Sequence, residues 1–311
     1  MNKLRGNIHL CNIEHLFLQA IRFTVLILIT TCITQCIHQD RNEKDFNNKQ
    51  RKRKEDLKTP CLNIFPDDPY LFNIEFQRDS LYKFRLWFPE LAIFNCDSSR
   101  AITEEIAPGE WAEKTENGYY VTGKIYENGR AIDFKYNISV FSNEAVKLEL
   151  QVKNTGRFPW SEYAQLAVCL APACKTFSDT IGNRTFIQTE LNLLNSIKKA
   201  GKVDDFNHYP VKHRNDTNDP DQRFQVASGY VSRANADLNY SISFIWDESA
   251  RVDVNPGGLD CIHSHPAIGP LKPGETITRT GFIVLTNTDA EQNFDFSRNL
   301  INQSLDLRKT H

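Results

Sequence analysis

Alternation of apolar and polar residues recurs through most of the chain after residue 60, and it limits the fold more than any other feature. Leu148, Leu150 and Val152 alternate with Glu149 and Gln151. In a strand, successive side chains point to opposite sides, so this spacing is typical of a strand with one buried face.

Turn residues separate two of the strand-like runs. The segments 119–126 and 131–141 flank Glu-Asn-Gly at 127–129, a combination that favours a β-hairpin. Many short strands with few helices predict an all-β fold, either a sandwich or a barrel.

Helical periodicity is confined to two short stretches. One lies near the end of the sequence, at 290–300, and a second candidate lies at 191–200. No internal repeat and no Gly/Ser-rich linker divides the strand-rich part. We therefore expect one β-sandwich domain at 60–300 with a short C-terminal helix, followed by a tail at 301–311.

The first 59 residues are predicted to lie outside this domain. Apolar residues at 23–34 are too few for a comfortable membrane span and suit a signal or lipoprotein-type leader at 1–36. Cys32 and Cys36 each follow a loosely lipobox-like stretch, so one of them is a candidate lipidation site; cleaved secretion and an uncleaved anchor are the alternatives. Residues 37–59 are charged and poor in large apolar side chains, which predicts a disordered tether.

These features predict an exported protein that is periplasmic or displayed on the cell surface, with the membrane as a partner through its leader or lipid anchor. The whole chain has a formal net charge of −2. That balance gives no basic surface for nucleic acid, and no nucleic-acid partner is expected.

Five cysteines follow the tether, and an odd number leaves at least one thiol unpaired in an exported protein. Cys169 and Cys174 would face opposite sides of a continuous strand, so a bridge between them needs a break in the strand. Their spacing has no matching second pair, which argues against zinc. The sequence predicts no metal and no cofactor. The five cysteines are Cys61, Cys96, Cys169, Cys174 and Cys261.

Two stretches together resemble the galactose-mutarotase and aldose-epimerase superfamily. The first is LELQVKNTGRFPWSEYAQLAVCL at 148–170, a strand that leads through an Asn-Thr turn into a second strand. The other is DCIHSHPAIGPLKPGETITRTGFIVL at 260–285, with a Pro-Gly-Glu turn before a last strand. The resemblance implies a large two-sheet sandwich, a supersandwich, whose concave face holds sugars.

The superfamily uses a catalytic histidine and a catalytic carboxylate, and this chain departs from both. The histidine position falls on Ala167, Val168 or Cys169, and the carboxylate position falls on His263. The resemblance therefore implies a carbohydrate-binding fold without mutarotase catalysis.

His263 and His265 form the densest group of reactive side chains. They are two residues apart, so on a strand both face one side. Three roles stay open for them: a polar sugar-binding or acid–base role, structural hydrogen bonding, and metal binding with a third ligand from Asp260, His208 or His213.

Four further residues are candidates for ligand binding. Trp160 could stack on a sugar ring or pack in a strand corner, and Gln165 could bond a hydroxyl or face solvent. Asp179 and Arg184 bracket a Gly-Asn turn, where Arg184 could bind an acidic group or simply pair with Asp179. The tryptophans assigned to packing are Trp87, Trp111 and Trp246.

Three functions fit these observations: a tethered sandwich that binds a carbohydrate, a polysaccharide lyase or hydrolase with His263 or His265 as base, and a structural module of the cell envelope. Convergence of the candidate side chains in one concave site would favour the first two. The residues that must converge are Trp160, Gln165, Arg184, His263 and His265.

Overall fold

A computed structural model describes residues 62–68, 70–93, 100–102, 113–127, 129–190, 193–200, 207–211, 225–256 and 260–309. The predicted leader and tether, with Cys32 and Cys36, lie outside these residues, as do Cys61 and Cys96. Within the described ranges, no helix is both long enough and apolar enough to cross a membrane.

The strands form two antiparallel sheets, which confirms the predicted all-β sandwich. The first sheet has eight strands in the order β1-β2-β3-β9-β16-β15-β12, with β4 paired to β3. Its strands are β1 (Leu62–Asp68), β2 (Leu71–Gln77), β3 (Leu81–Ile93), β4 (Arg100–Ile102), β9 (Gln165–Pro172), β12 (Asn207–Pro210), β15 (Ser249–Asn255) and β16 (Cys261–Pro266).

The second sheet has nine strands in the order β11-β10-β13-β14-β17-β8-β7-β6-β5. Its strands are β5 (Glu113–Lys114), β6 (Gly118–Glu127), β7 (Arg130–Ser142), β8 (Ala145–Asn154), β10 (Thr185–Glu190), β11 (Leu193–Ser196), β13 (Val231–Ala234), β14 (Ser241–Trp246) and β17 (Thr276–Thr286).

Apolar side chains from both sheets meet in one core. Leu148, Leu150 and Val152 of β8 are buried, as their alternation predicts, and they share a cluster with Leu170 and Ile262 of the other sheet. Each such side chain contributes about 1.5–3 kcal/mol through its removal from water. This burial fixes which face of each strand points inward, and so which side chains face outward.

The predicted hairpin is confirmed by the pairing of β6 with β7, in which Glu127 lies opposite Arg130. Gly129 in the connection has a φ of 80°. That left-handed conformation favours glycine, which is why the Asn-Gly pair is a strong hairpin signal.

Two helices accompany the sheets in the described residues: α1 (Ile197–Ala200) and α2 (Ala290–Lys309). The helix candidate at 191–200 is therefore wrong over its first part, because β11 pairs with β10 there. Helix α2 begins at the predicted residue but runs nine residues beyond the predicted end at 300. Ile301 and Leu305 extend the apolar stripe begun by Phe294, so the packing surface continues past that point.

Helix α2 packs on the outer side of strands β13, β14 and β17 of the nine-stranded sheet. The Asn293 side-chain amide donates to the Ser241 carbonyl and to Thr286 Oγ1, both at 2.8 Å. At the helix start, Asp289 Oδ1 accepts from the Gln292 amide at 2.9 Å, which caps the first turn.

Candidate functional site

Three adjacent strands of the eight-stranded sheet place polar side chains on one side. His263 of β16 lies opposite Cys169 of β9 on one flank and opposite Asp253 of β15 on the other. Their neighbours Leu170 and Ile262 point into the core. Because side chains alternate along strands, the polar set faces away from the core.

We call this surface the polar face. It spans strands β3, β9, β16, β15 and β12. Its residues are Trp87, Glu90, Gln165, Cys169, His208, Arg251, Asp253, Cys261, His263 and His265.

Asp253 is the centre of hydrogen bonding on the polar face. One carboxylate oxygen lies 2.9 Å from His208 Nδ1; the other lies 2.9 Å from His265 Nε2 and 2.8 Å from Arg251 Nη2. Burial alone would raise the pKa of Asp253, but the Arg251 guanidinium and the two imidazoles hold it well below its usual range. Asp253 is therefore ionised at neutral pH.

His265 is a buried, neutral imidazole. Burial lowers its pKa to about 4, outweighing the opposite effect of Asp253. Its Nδ1 lies 3.3 Å from the Leu166 carbonyl oxygen. The shorter contact with Asp253 assigns the ring proton to Nε2.

Cys261 and His263 form a closer, charged pair. Cys261 Sγ lies 2.9 Å from His263 Nε2. The hydrogen bond from Cys169, joined by the contact with His263, lowers the pKa of Cys261 to about 5. Burial acts to lower the pKa of His263, but the contact with Cys261 raises it above its usual value. The opposite shifts favour a thiolate on Cys261 beside a protonated His263, and a thiolate is the form suited to nucleophilic or metal-binding chemistry.

Cys169 and Glu90 flank this pair. Cys169 is hydrogen-bonded to Cys261, and this bond together with burial raises the pKa of the Cys169 thiol well above its usual value. Glu90 Oε2 lies 3.7 Å from His263 Nδ1, on the other side of the ring. Burial also raises the pKa of Glu90, and the charge of His263 partly offsets this.

The polar face has a buried floor and a more exposed rim. The side chains of His263, His265 and Asp253 are between 1% and 4% exposed. Those of Glu90, His208 and Arg251 are 36%, 34% and 23% exposed. Trp87, opposite Cys169 on β3, is half-buried against the two cysteines. A ligand that reaches this face therefore meets the rim first.

Gln165 shares the polar face with the two histidines. It begins β9 and lies opposite Ala267, in the same register that places Cys169 opposite His263. Its Oε1 atom is buried and has no hydrogen-bond partner among the described residues. The structure therefore brings Gln165, His263 and His265 to one side of the sheet.

Trp160 does not join them. It is 2% exposed, lies in the core and donates its backbone N–H to the Leu271 carbonyl at 2.9 Å. A buried ring presents no face to a sugar, so stacking on Trp160 is wrong for this structure. The corner-packing alternative describes its position.

Asp179 and Arg184 close their turn in a different way from the predicted ion pair. Asp179 Oδ2 accepts from the Arg184 backbone N–H at 2.9 Å and from Thr185 Oγ1 at 2.8 Å. The Arg184 guanidinium instead donates to the carbonyls of Thr176, Ser178 and Ala234. With its donors directed at the main chain, Arg184 is not part of the polar face.

Sequence reasoning missed Arg233, a wholly buried residue of β13 that bonds Asp260, the residue before Cys261. Its Nη1 donates to Asp260 Oδ1 at 2.8 Å, and its Nε donates to Thr185 Oγ1 at 2.9 Å. Asp260 in turn accepts from the Asp179 backbone at 3.0 Å. The charge of Arg233 helps to lower the pKa of Cys261. Nothing in its short strand, VSRA, signals this role.

The cysteines that lie close together in the structure are not the two that are close in the sequence. Cys169, Cys174 and Cys261 are free thiols. Cys169 pairs by hydrogen bonding with Cys261 rather than with its sequence neighbour Cys174. Cys169, one of the three candidates for the histidine position of the superfamily, is the direct cross-strand neighbour of His263, at the carboxylate position.

A scan against protein-family models found no match, and neither did a search of curated proteins. Solved structures of similar fold include a galactose mutarotase-like protein from Clostridium acetobutylicum, 11% identical, which covers 73% of this chain and 99% of its own at a TM-score of 0.34. An alpha-N-acetylgalactosaminidase from Bifidobacterium bifidum is 10% identical; the match covers 78% of this chain and 39% of the other, at a TM-score of 0.47. An alpha-mannosidase from Enterococcus faecalis is also 10% identical; that match covers 79% of this chain and 32% of the other, at a TM-score of 0.41.

At these identities the likeness concerns the fold. The two antiparallel sheets of this chain have the sandwich architecture expected from residues 148–170 and 260–285.

Proposed function

We propose that this protein binds a carbohydrate on the polar face, with Trp87 as an aromatic platform and Glu90, His208 and Arg251 as hydrogen-bonding rim. The supporting observation is one half-buried tryptophan beside partly exposed charged groups, above a buried floor. Sugar rings offer apolar C–H faces to an aromatic ring and hydroxyls to charged side chains.

The mixture of charges supports a neutral, hydroxyl-rich ligand. On the rim, Glu90 opposes an anion, whereas Arg251 opposes a cation. A hydroxyl both donates and accepts hydrogen bonds, so it suits donors and acceptors that lie side by side. Gln165 Oε1, which has no hydrogen-bond partner among the described residues, is a further acceptor on this face.

Ring geometry supports binding over acid–base catalysis by the histidines. His265 directs one nitrogen at Asp253 and the other towards the Leu166 carbonyl. His263 directs Nε2 at Cys261 and Nδ1 towards Glu90. A general base needs a free nitrogen within reach of a substrate proton, and here the protein occupies those directions.

A glycan array probed with the full chain tests the proposal, followed by calorimetric titration with the free oligosaccharide that binds best. Replacing Trp87 by Ala should weaken binding by about tenfold, because an aromatic ring stacked on a sugar contributes roughly 1.4 kcal/mol or more. The affinity of Trp87→Phe should lie between those of the wild type and Trp87→Ala. Neutral glycans should bind better than acidic ones of the same size.

Tyr126→Ala is the matched control, since this aromatic residue is 50% exposed on β6 of the other sheet. It should leave the affinity unchanged. Equal losses in Trp87→Ala and Tyr126→Ala, or no bound glycan at all, would contradict the proposal.

Export and lipid anchoring remain part of the proposal, through the leader at 1–36 and Cys36 or Cys32. Fatty-acid labelling in a bacterial host tests it. The label should disappear in Cys36→Ser or in Cys32→Ser, whichever residue is modified. An unlabelled wild-type chain would argue for cleaved secretion or an uncleaved anchor.

A further inference from the structure

Three metal-ligating side chains meet in the floor of the polar face. One donor atom from each of Cys169, Cys261 and His263 lies within 4.8 Å of the other two, and all three residues are buried. Cys261 and His263 stand two apart on β16, so they share a side, and Cys169 lies directly opposite His263. The backbone register of two paired strands therefore fixes the cluster.

The spacing is close to that of a tetrahedral metal site. With zinc–sulfur and zinc–nitrogen bonds of about 2.3 and 2.1 Å, ligand atoms lie roughly 3.5–3.8 Å apart. The observed upper limit of 4.8 Å needs about 1 Å of side-chain movement. Rotation about the side-chain bonds of cysteine and histidine supplies that movement without shifting the strands.

The donor set selects the kind of metal. Two thiolates and one imidazole suit thiophilic transition ions such as zinc, and they suit calcium or magnesium poorly. Glu90 adds the usual outer partner: its carboxylate faces the far nitrogen of His263 at 3.7 Å, where it orients the ring and increases its basicity.

We propose that Cys169, Cys261 and His263 bind one zinc ion, with Glu90 as the outer partner of His263 and one coordination position left for water or a ligand. Three protein ligands and an open position are the arrangement found in zinc sites that act on substrates. The proposal depends on the three donors alone and does not require that the face binds a sugar.

Zinc titration of the full chain tests this, after metal removal and under reducing conditions with the thiols counted. The chain has eight cysteines, so the readout compares variants with a matched control. Three variants remove one ligand each and should bind one zinc equivalent fewer than the wild type, or bind it more than about 100-fold more weakly: Cys169→Ser, Cys261→Ser and His263→Gln. Cys174→Ser, a half-buried thiol outside the cluster, should bind as the wild type does.

Cobalt provides a second readout, since thiolate ligation gives intense charge-transfer absorption that a histidine-only or carboxylate site lacks. That absorption should weaken in each cysteine variant of the cluster but not in Cys174→Ser. Equal zinc content in the ligand variants and the control would overturn the proposal, as would cobalt binding without thiolate absorption.

Glu90→Gln keeps the test decisive if a ligand variant fails to fold, because this side chain is partly exposed. It should lower zinc affinity by about tenfold. Unchanged affinity in a folded Glu90→Gln protein would overturn the proposed arrangement.

Discussion

The outer sides of the two sheets differ in chemistry where each is buried. On the nine-stranded sheet, Phe282 and Val284 pack against Phe294 and Ile301 of α2, so apolar contacts bury the outer side of β13, β14 and β17. On the eight-stranded sheet, the corresponding layer consists of carboxylates, imidazoles, thiols and a guanidinium. One face therefore contributes to stability by burial, whereas the other must satisfy each polar group individually.

This difference has a physical consequence. Apolar packing tolerates small changes, since neighbouring side chains relax into part of the lost volume. A buried charged network does not, because removal of one member leaves its partners desolvated and unpaired. Perturbations of the two faces should therefore differ in size and in their sensitivity to pH.

The largest effect is expected at the centre of the polar network. Asp253→Ala removes the carboxylate that faces His208, His265 and Arg251. The unfolding free energy in urea should fall by about 3–5 kcal/mol, since the buried imidazole of His265 and the partly exposed guanidinium of Arg251 lose their partner. Asp237→Ala, at an exposed position, is the control and should change it by less than about 0.5 kcal/mol. Equal effects would show that Asp253 has no special place in stability.

The next-largest expected effect is a loss of folding stability at acidic pH. His265 has a folded-state pKa of about 4, against about 6.5 in an unfolded chain. Because its folded pKa is depressed, its contribution is fully present above pH 6.5 and is lost as the pH falls through about 4. The groups acting on it are Asp253, Arg251 and His263. The loss is on the order of 3 kcal/mol.

Urea unfolding at several pH values measures this, with His265→Gln as the comparison. Cys261 has a pKa of about 5 and also loses stability towards acid, so only the difference between the two proteins isolates His265. Between pH 6.5 and 4 the wild type should lose more stability than the variant. Parallel pH curves would contradict a neutral, buried His265.

A smaller effect is expected under the helix. Ile301→Val removes one methylene from the apolar layer, where Ile301 is 6% exposed. The expected cost is about 1 kcal/mol, because α2 can partly close the gap. Gln303→Ala, exposed on the same helix, should change the unfolding free energy little. Glycan affinity should be unchanged in both variants. A changed glycan affinity in Ile301→Val would mean that the two faces are coupled.

The sequence predicts the apolar face better than the polar one. Strand alternation and the turn at 127–129 are local, and they identified β6, β7, β8 and the start of α2. Helix α2 exceeds its predicted length because an apolar residue every third or fourth position continues the stripe after Leu300. Local periodicity thus carries information about burial, which is what the packing face requires.

The polar face depends on the register between distant strands, which local patterns do not contain. Spacing alone placed His263 and His265 on one side, as observed, but not the meeting of Cys169 with Cys261. The tryptophans were separated only in part: Trp160, a stacking candidate, is buried in the core, whereas Trp87 packs on Cys169 and Cys261 as expected and is half-buried. Trp87 follows Leu86 and Trp160 follows Pro159, so the preceding residue does not indicate how far each ring is exposed.

The smallest effect is expected at Gln165 of the polar face. It tests the difference between the two faces directly, because folding stability and glycan affinity should change in opposite directions. Gln165 Oε1 is buried without a partner among the described residues, and a polar atom so placed is costly to the folded state. Gln165→Met keeps the side-chain length and removes that oxygen, so the unfolding free energy should rise by up to about 1 kcal/mol. Glycan affinity should fall, since the same oxygen is an acceptor for the ligand. Lower stability together with unchanged binding would mean that Gln165 serves the sheet rather than the site, and that the polar face is as structural as the apolar one.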